Sequence, residues 1–359
     1  MDKIFFPYRS GTHLVLLHVI GESGSWEKHG LDVDYNRHIS SSQAHDAVLK
    51  GDVEFVGGNH VSTYGHRARG DNWVYLGQTL NKVNMRLVVR TDSGIDGVSD
   101  LRFKKVGTRG SHPGLNDWLY LKQRGLDADR DEVEIINQIR HRKGKMDPES
   151  LADPEGWKLP PLWQLVKDGE VDAAFLTPPQ YLFAEDAGLK TIDVEPLPMI
   201  WFTTISSSLP FVQKHPDIVE RFLKGVMEGI HFFKTRSEES IRIIQRSHTL
   251  EGQMTYEQAA ATYRNLAPML DVKLFPNLTA IANVYEEAVH QDKDALRINP
   301  MELWDLHFIR HLDDVGFTRS LAGQGAAMAR ATEEHSSHAA QPVLAHPHGH
   351  DCAEEGCAD

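Results

Sequence analysis

Short runs of branched and aromatic residues alternate with helix-like runs through the first part of the chain. No other feature restricts the fold as much. KIFFPY reads as a buried strand and THLVLLHVIGESGSWEKHG as the helix after it, closed at Gly30. LDVDYN alternates like a strand, SSSQAHDAVLKGD is a helix with serines at its start, and VEFVGG is a third strand. WVYLGQTL and MRLVVRTDS follow as strands. Strand, helix and strand in that order imply a sheet that is mainly parallel and flanked by helices.

From Ser93 the rhythm restarts: a short helix, a strand ending at Thr108, a Gly-Ser-His-Pro turn and another helix. VEIINQI is a strand, and the polar stretch RHRKGKMDPESLADPEGWKLPP reads as a surface insertion. LWQLVKDGE and VDAAFLT supply a helix and a strand, and PPQYLFAEDAG opens a helix on its prolines. After MIWFTTISSSLPFVQKHP the chain is mainly helical to about Gly323. Beyond that, Ala, Gly, His and acids without apolar periodicity predict a disordered tail over 324–359.

A formal charge of −13 argues against a nucleic-acid partner, whose phosphates call for a basic face. The only cysteines are Cys352 and Cys357, so no disulfide framework supports the fold. The N-terminal MDKIFFPYRSGTHLVLLHVIGES carries Asp2, His13 and His18 and lacks a small-residue cleavage site, so it reads as strand and helix rather than an export signal. No apolar run is long enough to span a bilayer, and no membrane insertion is expected. The expected location is the cytoplasm, or the periplasm if a signal preceded this numbering.

Four spaced stretches carry a family likeness: GLDVDY, HDAVLKGDVEFVGG, DGVSDLRFKKVGTRGSHP and LVKDGEVDAAFLTPPQ. In this order the chain resembles the solute-binding proteins of ABC transporters, in the sulfonate, nitrate and thiamine-precursor (NMT1/THI5-like) branch. The resemblance implies an α/β, type 2 periplasmic-binding-protein-like fold of two lobes. Lobe one would comprise 1–90 plus 205–323 and lobe two 91–204, with a ligand cleft between them. Ligand would lie against strand ends and helix N-termini. An ABC transporter permease is the implied partner if the protein is exported. The same scaffold also hosts enzymes: a thiamine-pyrimidine synthase, an aromatic sulfinate desulfinase and a dihydroxyphthalate decarboxylase.

The strand-end loops mark candidate residues. His13, His60 and His112 each stand at a strand-to-helix junction, and three imidazoles from separate loops suit a divalent metal ion or shared acid–base work. The alternative for each is a simple hydrogen bond to backbone or ligand. Arg9 and Arg109 flank the same junctions and would fork onto a carboxylate or sulfonate, or else balance surface acids. Asn59, Ser111 and Thr177 are donors for an oxyanion, or helix caps. Tyr8 ends the first strand on the ligand side. Trp201 is the aromatic best placed for a ligand, whereas Trp118 and Trp163 read as core. In the tail, His346, His348, His350, Asp351, Cys352 and Cys357 form a second metal-binding set or a solvated terminus.

Two functions remain open at this stage. One is a clamp closing on a small organic molecule, an anion such as a carboxylate or sulfonate being the first expectation. The other is a cytosolic metal-dependent lyase, such as an aromatic-acid decarboxylase, using the cleft histidines. The desulfinase pattern pairs a histidine with an arginine further on, matched here by His60 with Arg67 or Arg69. It also needs a cysteine in the first strand's loop, where this chain has none.

Overall fold

The computed structural model describes residues 1–8, 11–39, 41–58, 60–108, 115–130, 132–138, 160–249 and 252–323. The Gly-Ser-His-Pro turn, the polar insertion and the tail therefore lie outside the described residues. Residues 1–318 make one compact unit. Of the second unit only 319–323, which are helical, are described.

Strand β1 (Asp2–Phe5) pairs in parallel with β2 (Leu31–Asp34), and helix α1 (Gly11–Glu22) connects them. A 3-10 turn before β2 ends at Gly30, whose φ of 75° is open to glycine at no steric cost. Helix α2 (Ser41–Lys50) leads to β3, which is shorter than expected: only Val56–Gly57 pairs. The residues before it go elsewhere. The amides of Asp52 and Val53 donate to the carbonyl of Ala47 and close α2, while Phe55 donates to the Phe5 carbonyl. Helix α3 (Ser62–Ala68) follows.

Two long strands come next in importance, β4 (Trp73–Val83) and β10 (Leu197–Ser208), paired antiparallel with β3 on the outer side of β10. Between them in sequence lies a five-stranded sheet. Its members are β5 (Arg86–Val89), β6 (Lys105–Thr108), β7 (Glu134–Asn137), β8 (Ala173–Leu176) and β9 (Lys190–Asp193). Their order across the sheet is β7-β6-β8-β5-β9.

The expectation of mainly parallel sheets needs correcting. Pairs β1–β2, β6–β7 and β6–β8 are parallel; β5 is antiparallel to both β8 and β9, and β10 to both β3 and β4. Parallel neighbours need a crossover helix between them. Helix α1 supplies it between β1 and β2, and the helix Leu115–Gln123 between β6 and β7, whereas the short links from β4 to β5 (84–85) and from β9 to β10 (194–196) carry the chain from one sheet to the other.

The helix Pro216–Thr235 packs against α1. Phe222 stacks on Phe55 at 4.0 Å and meets Phe6 edge-on at 5.1 Å, all three fully buried. Burying each such ring stabilises the fold by roughly 1.5–3 kcal/mol. On the same helix Gly225 permits the close approach of Trp26, since a Cβ there would stand 2.3 Å from Trp26 Cδ1.

Candidate ligand site

Beyond β1 the chain stays paired. Tyr8 donates its amide to the Arg37 carbonyl at 2.9 Å, accepts from Ile39 at 3.0 Å, and sets its ring edge-on to His38 at 5.4 Å. Tyr8 is half-buried and lies beyond the end of β1, in an isolated bridge with His38. Arg9 lies outside the described residues. His13 stands in the first turn of α1, half-buried, its ring edge-on to Phe202 at 5.5 Å.

The exit from β3 depends on glycine. Gly58 has φ of 100° and donates to the Thr204 carbonyl at 3.0 Å. Gly58→Ala is expected to cost about 1–3 kcal/mol and to loosen the loop carrying His60, measurable as a lower midpoint of chemical unfolding. Asn59 is outside the described residues. His60 is half-buried; its carbonyl accepts from the Tyr75 hydroxyl at 3.4 Å and its ring lies 6.4 Å from that of Trp201. Tyr75 is fully buried on β4 and also bonds Thr63 on α3, so a rigid pair holds the His60 peptide.

Both imidazoles therefore converge on adjacent residues of β10. At that point the strand is irregular: its register against β4 shifts between Trp201 and Thr204, and Phe202 adopts φ of 69°. A left-handed conformation in a bulky residue costs roughly 1–2 kcal/mol and persists only where neighbours enforce it. Gln78 is the enforcer. Fully buried on β4, it donates to the Trp201 carbonyl at 2.7 Å and accepts from the Thr204 hydroxyl at 2.5 Å. Thr79 adds a bond to the Thr203 carbonyl at 2.8 Å. Trp201 is only partly buried at this bend. Neither Gln78 nor Phe202 was among the expected residues; the signal available was a glutamine inside the apolar run WVYLGQTL.

On the five-stranded sheet, Thr177 follows β8, half-buried, its carbonyl accepting from the Gln180 amide at 2.9 Å ahead of the cis Pro178–Pro179 bond. Arg109, Ser111 and His112 lie outside the described residues, and so do His346, His348, His350, Cys352 and Cys357. Arg67 donates to the Asp71 carbonyl at 3.0 Å, and Arg69 pairs with Asp292 and Asp294 at 2.7 and 2.9 Å. Both guanidinium groups are thus engaged at the far end of α3 from His60. Trp118 is core, 4% exposed and stacked on His290 at 3.8 Å.

Helix α4 (Leu115–Gln123) brings an unexpected feature. Asp117 in its first turn is buried, and burial pushes its carboxyl up to about 7, against a hydrogen bond from Thr108 that lowers it. Glu287, on the helix Leu278–Gln291 packed against α4, is 1% exposed with both carboxylate oxygens unpartnered. Burial first, and then the charges of Asp117 and Glu286, hold it well above the usual carboxylate range.

For metal ligands, His13 and His60 were expected to act with His112, which is not among the described residues. The described residues whose ligand atoms fall within 4.8 Å of one another are a different set: His45, His66 and Asp71. Among the described residues no helix is long and apolar enough to cross a membrane.

The family profile described as NMT1/THI5 like matches residues 16–145, which bears out the likeness read from the motifs. No protein of curated function matches the sequence. The fold is similar to that of a protein from Bordetella bronchiseptica RB50, with TM-score 0.63 and 17% identity over 88% of this chain and 98% of that one. It is also similar to the periplasmic aliphatic sulphonate binding protein SsuA from Escherichia coli (TM-score 0.61, 16% identity, 84% and 96% covered). A third likeness is to DSZB, a desulfurization enzyme, in complex with biphenyl-2-sulfinic acid (TM-score 0.55, 17% identity, 86% and 98% covered). At these identities they establish the fold alone: a two-lobed α/β periplasmic-binding-protein fold.

Proposed function

We propose that this chain, a periplasmic-binding-protein fold with an NMT1/THI5-like segment, binds a small organic anion, a sulfonate or carboxylate, between two lobes. Lobe one is 1–90 plus 205–323 and lobe two 91–204. The observation that carries the reading is the bend at Trp201–Phe202, where strain is held in place and two half-buried imidazoles meet an aromatic wall. Likeness to a sulphonate binding protein supports the ligand class. Tyr8, His13 and His60 contribute from lobe one, with Arg9 and Asn59, and Trp201 stands at the end of lobe two where the chain returns to lobe one. Arg109, Ser111, His112 and Thr177 close from lobe two. Arginine forks and histidine N–H groups suit the planar or tetrahedral oxygens of the anion.

Calorimetric titration with matched series of alkyl and aryl sulfonates and carboxylates tests this. At least one series is expected to bind saturably, and His60→Ala to weaken it by on the order of tenfold, as for a lost charge-assisted hydrogen bond. Heat from neither series would refute the reading. The same pair of imidazoles supports a second reading, a metal-dependent lyase acting on an aromatic acid. Carbon dioxide release from such an acid, dependent on added divalent metal and lost in His60→Ala, would favour it over simple binding.

A further inference from the structure

We propose that His45, His66 and Asp71 form a binding site for a divalent cation of borderline softness, zinc above all, away from the His13–His60 site. The three residues come from α2, from α3 and from the turn into β4, and their ligand atoms lie within 4.8 Å of one another. Asp71 Oδ2 stands 2.7 Å from His45 Nε2 and 3.2 Å from His66 Nδ1, with the two imidazole centroids 4.0 Å apart. Zinc bonded at about 2.0–2.2 Å in a tetrahedron keeps its ligand atoms roughly 3.3 Å apart. The His66–Asp71 separation of 3.2 Å already matches that spacing, and the His45–Asp71 separation would widen from 2.7 Å to roughly 3.3 Å.

Each ligand is supported in a different way. The His45 ring is 7% exposed and stacks on Trp73 at 5.2 Å and 11°, so it is fixed in orientation. Its other nitrogen, Nδ1, is buried without a partner, so Nε2 is the atom available to the cluster. His66 and Asp71 keep 40% and 32% of their side chains exposed. That leaves one side open for entry and for water as a fourth ligand. The nearby cations do not cancel the carboxylate: Arg67 bonds the Asp71 backbone carbonyl, and Arg69 is paired with Asp292 and Asp294.

Two imidazoles with one carboxylate select zinc, cobalt, nickel or copper over magnesium and calcium, which favour all-oxygen shells. A bound cation would tie α2, α3 and the start of β4 together.

The full chain has competing ligands in its tail. The test therefore uses a parent variant carrying His346→Gln, His348→Gln, His350→Gln, Cys352→Ser and Cys357→Ser. After dialysis against zinc, this parent is expected to hold one zinc per chain by elemental analysis. Its thermal midpoint should rise by roughly 5 °C at zinc a hundredfold above Kd. His66→Gln and Asp71→Asn are each expected to abolish both effects. Cobalt in the parent should give the intense visible absorption of a four-coordinate nitrogen–oxygen site, which decides the matter even if a variant fails to fold. No zinc and no such cobalt spectrum in the parent would overturn the proposal, as would zinc uptake unchanged in both variants.

Discussion

Replacing Asp117 with Asn and Glu287 with Gln together is expected to remove a fall in stability that the native chain undergoes between about pH 4 and pH 7. The cause is a seam between α4 and the helix Leu278–Gln291 that excludes water from two acids at once. Trp118 stacks on His290, Lys122 pairs with Glu286 at 3.0 Å, and Gln123 donates to Asn283 at 3.2 Å. Glu287 lies behind these contacts with no hydrogen-bond partner. In the unfolded chain both acids ionise near their ordinary values, whereas in the folded chain Asp117 holds its proton to about 7 and Glu287 is raised well above normal. Between those limits the folded state binds more protons than the unfolded one, so stability falls as pH rises. The contribution is fully present below the unfolded values and lost as pH passes through the folded ones.

For Asp117, moving from 3.8 to about 7 corresponds to about 4 kcal/mol at most. His66 and His231 are lowered by burial and act in the opposite sense just below their ordinary value. The informative quantity is therefore the difference between native and doubly substituted chains in urea unfolding at successive pH values. Parallel curves would show that the seam admits water and that the two acids ionise freely.

The strand and helix rhythm was legible because period and punctuation are local. Gly30 and Gly58 both take left-handed conformations at the ends of their runs, with His13 in the first turn of α1 and His60 just ahead of α3. What could not be read depends on partners distant in sequence. The bend at Phe202 is held by Gln78 on β4, a partner far away in sequence, and nothing in the residues around Phe202 announces it. Glu287 resembles any helix-surface acid in VYEEAVHQ, and only the packing of α4 makes it buried. His45 and Asp71 are 26 residues apart, one in a helix and one in a turn. Their meeting follows from the way α2 and α3 pack together, which periodicity does not encode.

Gln78→Ala is expected to destabilise the chain by about 3–4 kcal/mol and to abolish binding at the proposed anion site. The glutamine amide satisfies three groups at the bend: the carbonyls of Leu80 and Trp201 and the hydroxyl of Thr204. Truncation strands these groups, at about 1–3 kcal/mol for each buried group left unpaired, and leaves a void between β4 and β10. Thr79→Val is the matched control. It removes a single bond to the Thr203 carbonyl on the same strand pair without a change in volume, and is expected to cost only about 1 kcal/mol. The two variants differ in what they release. Without Gln78 the left-handed Phe202 loses the tethers on either side of it, so Trp201 and Phe202 relax away from His60 and His13. With Thr79→Val those tethers remain, and anion affinity is expected to stay within about twofold of the native value. Equal losses of affinity in the two variants, measured by titration at matched fractions of folded protein, would mean that the bend follows from strand pairing alone and that Gln78 does not hold it.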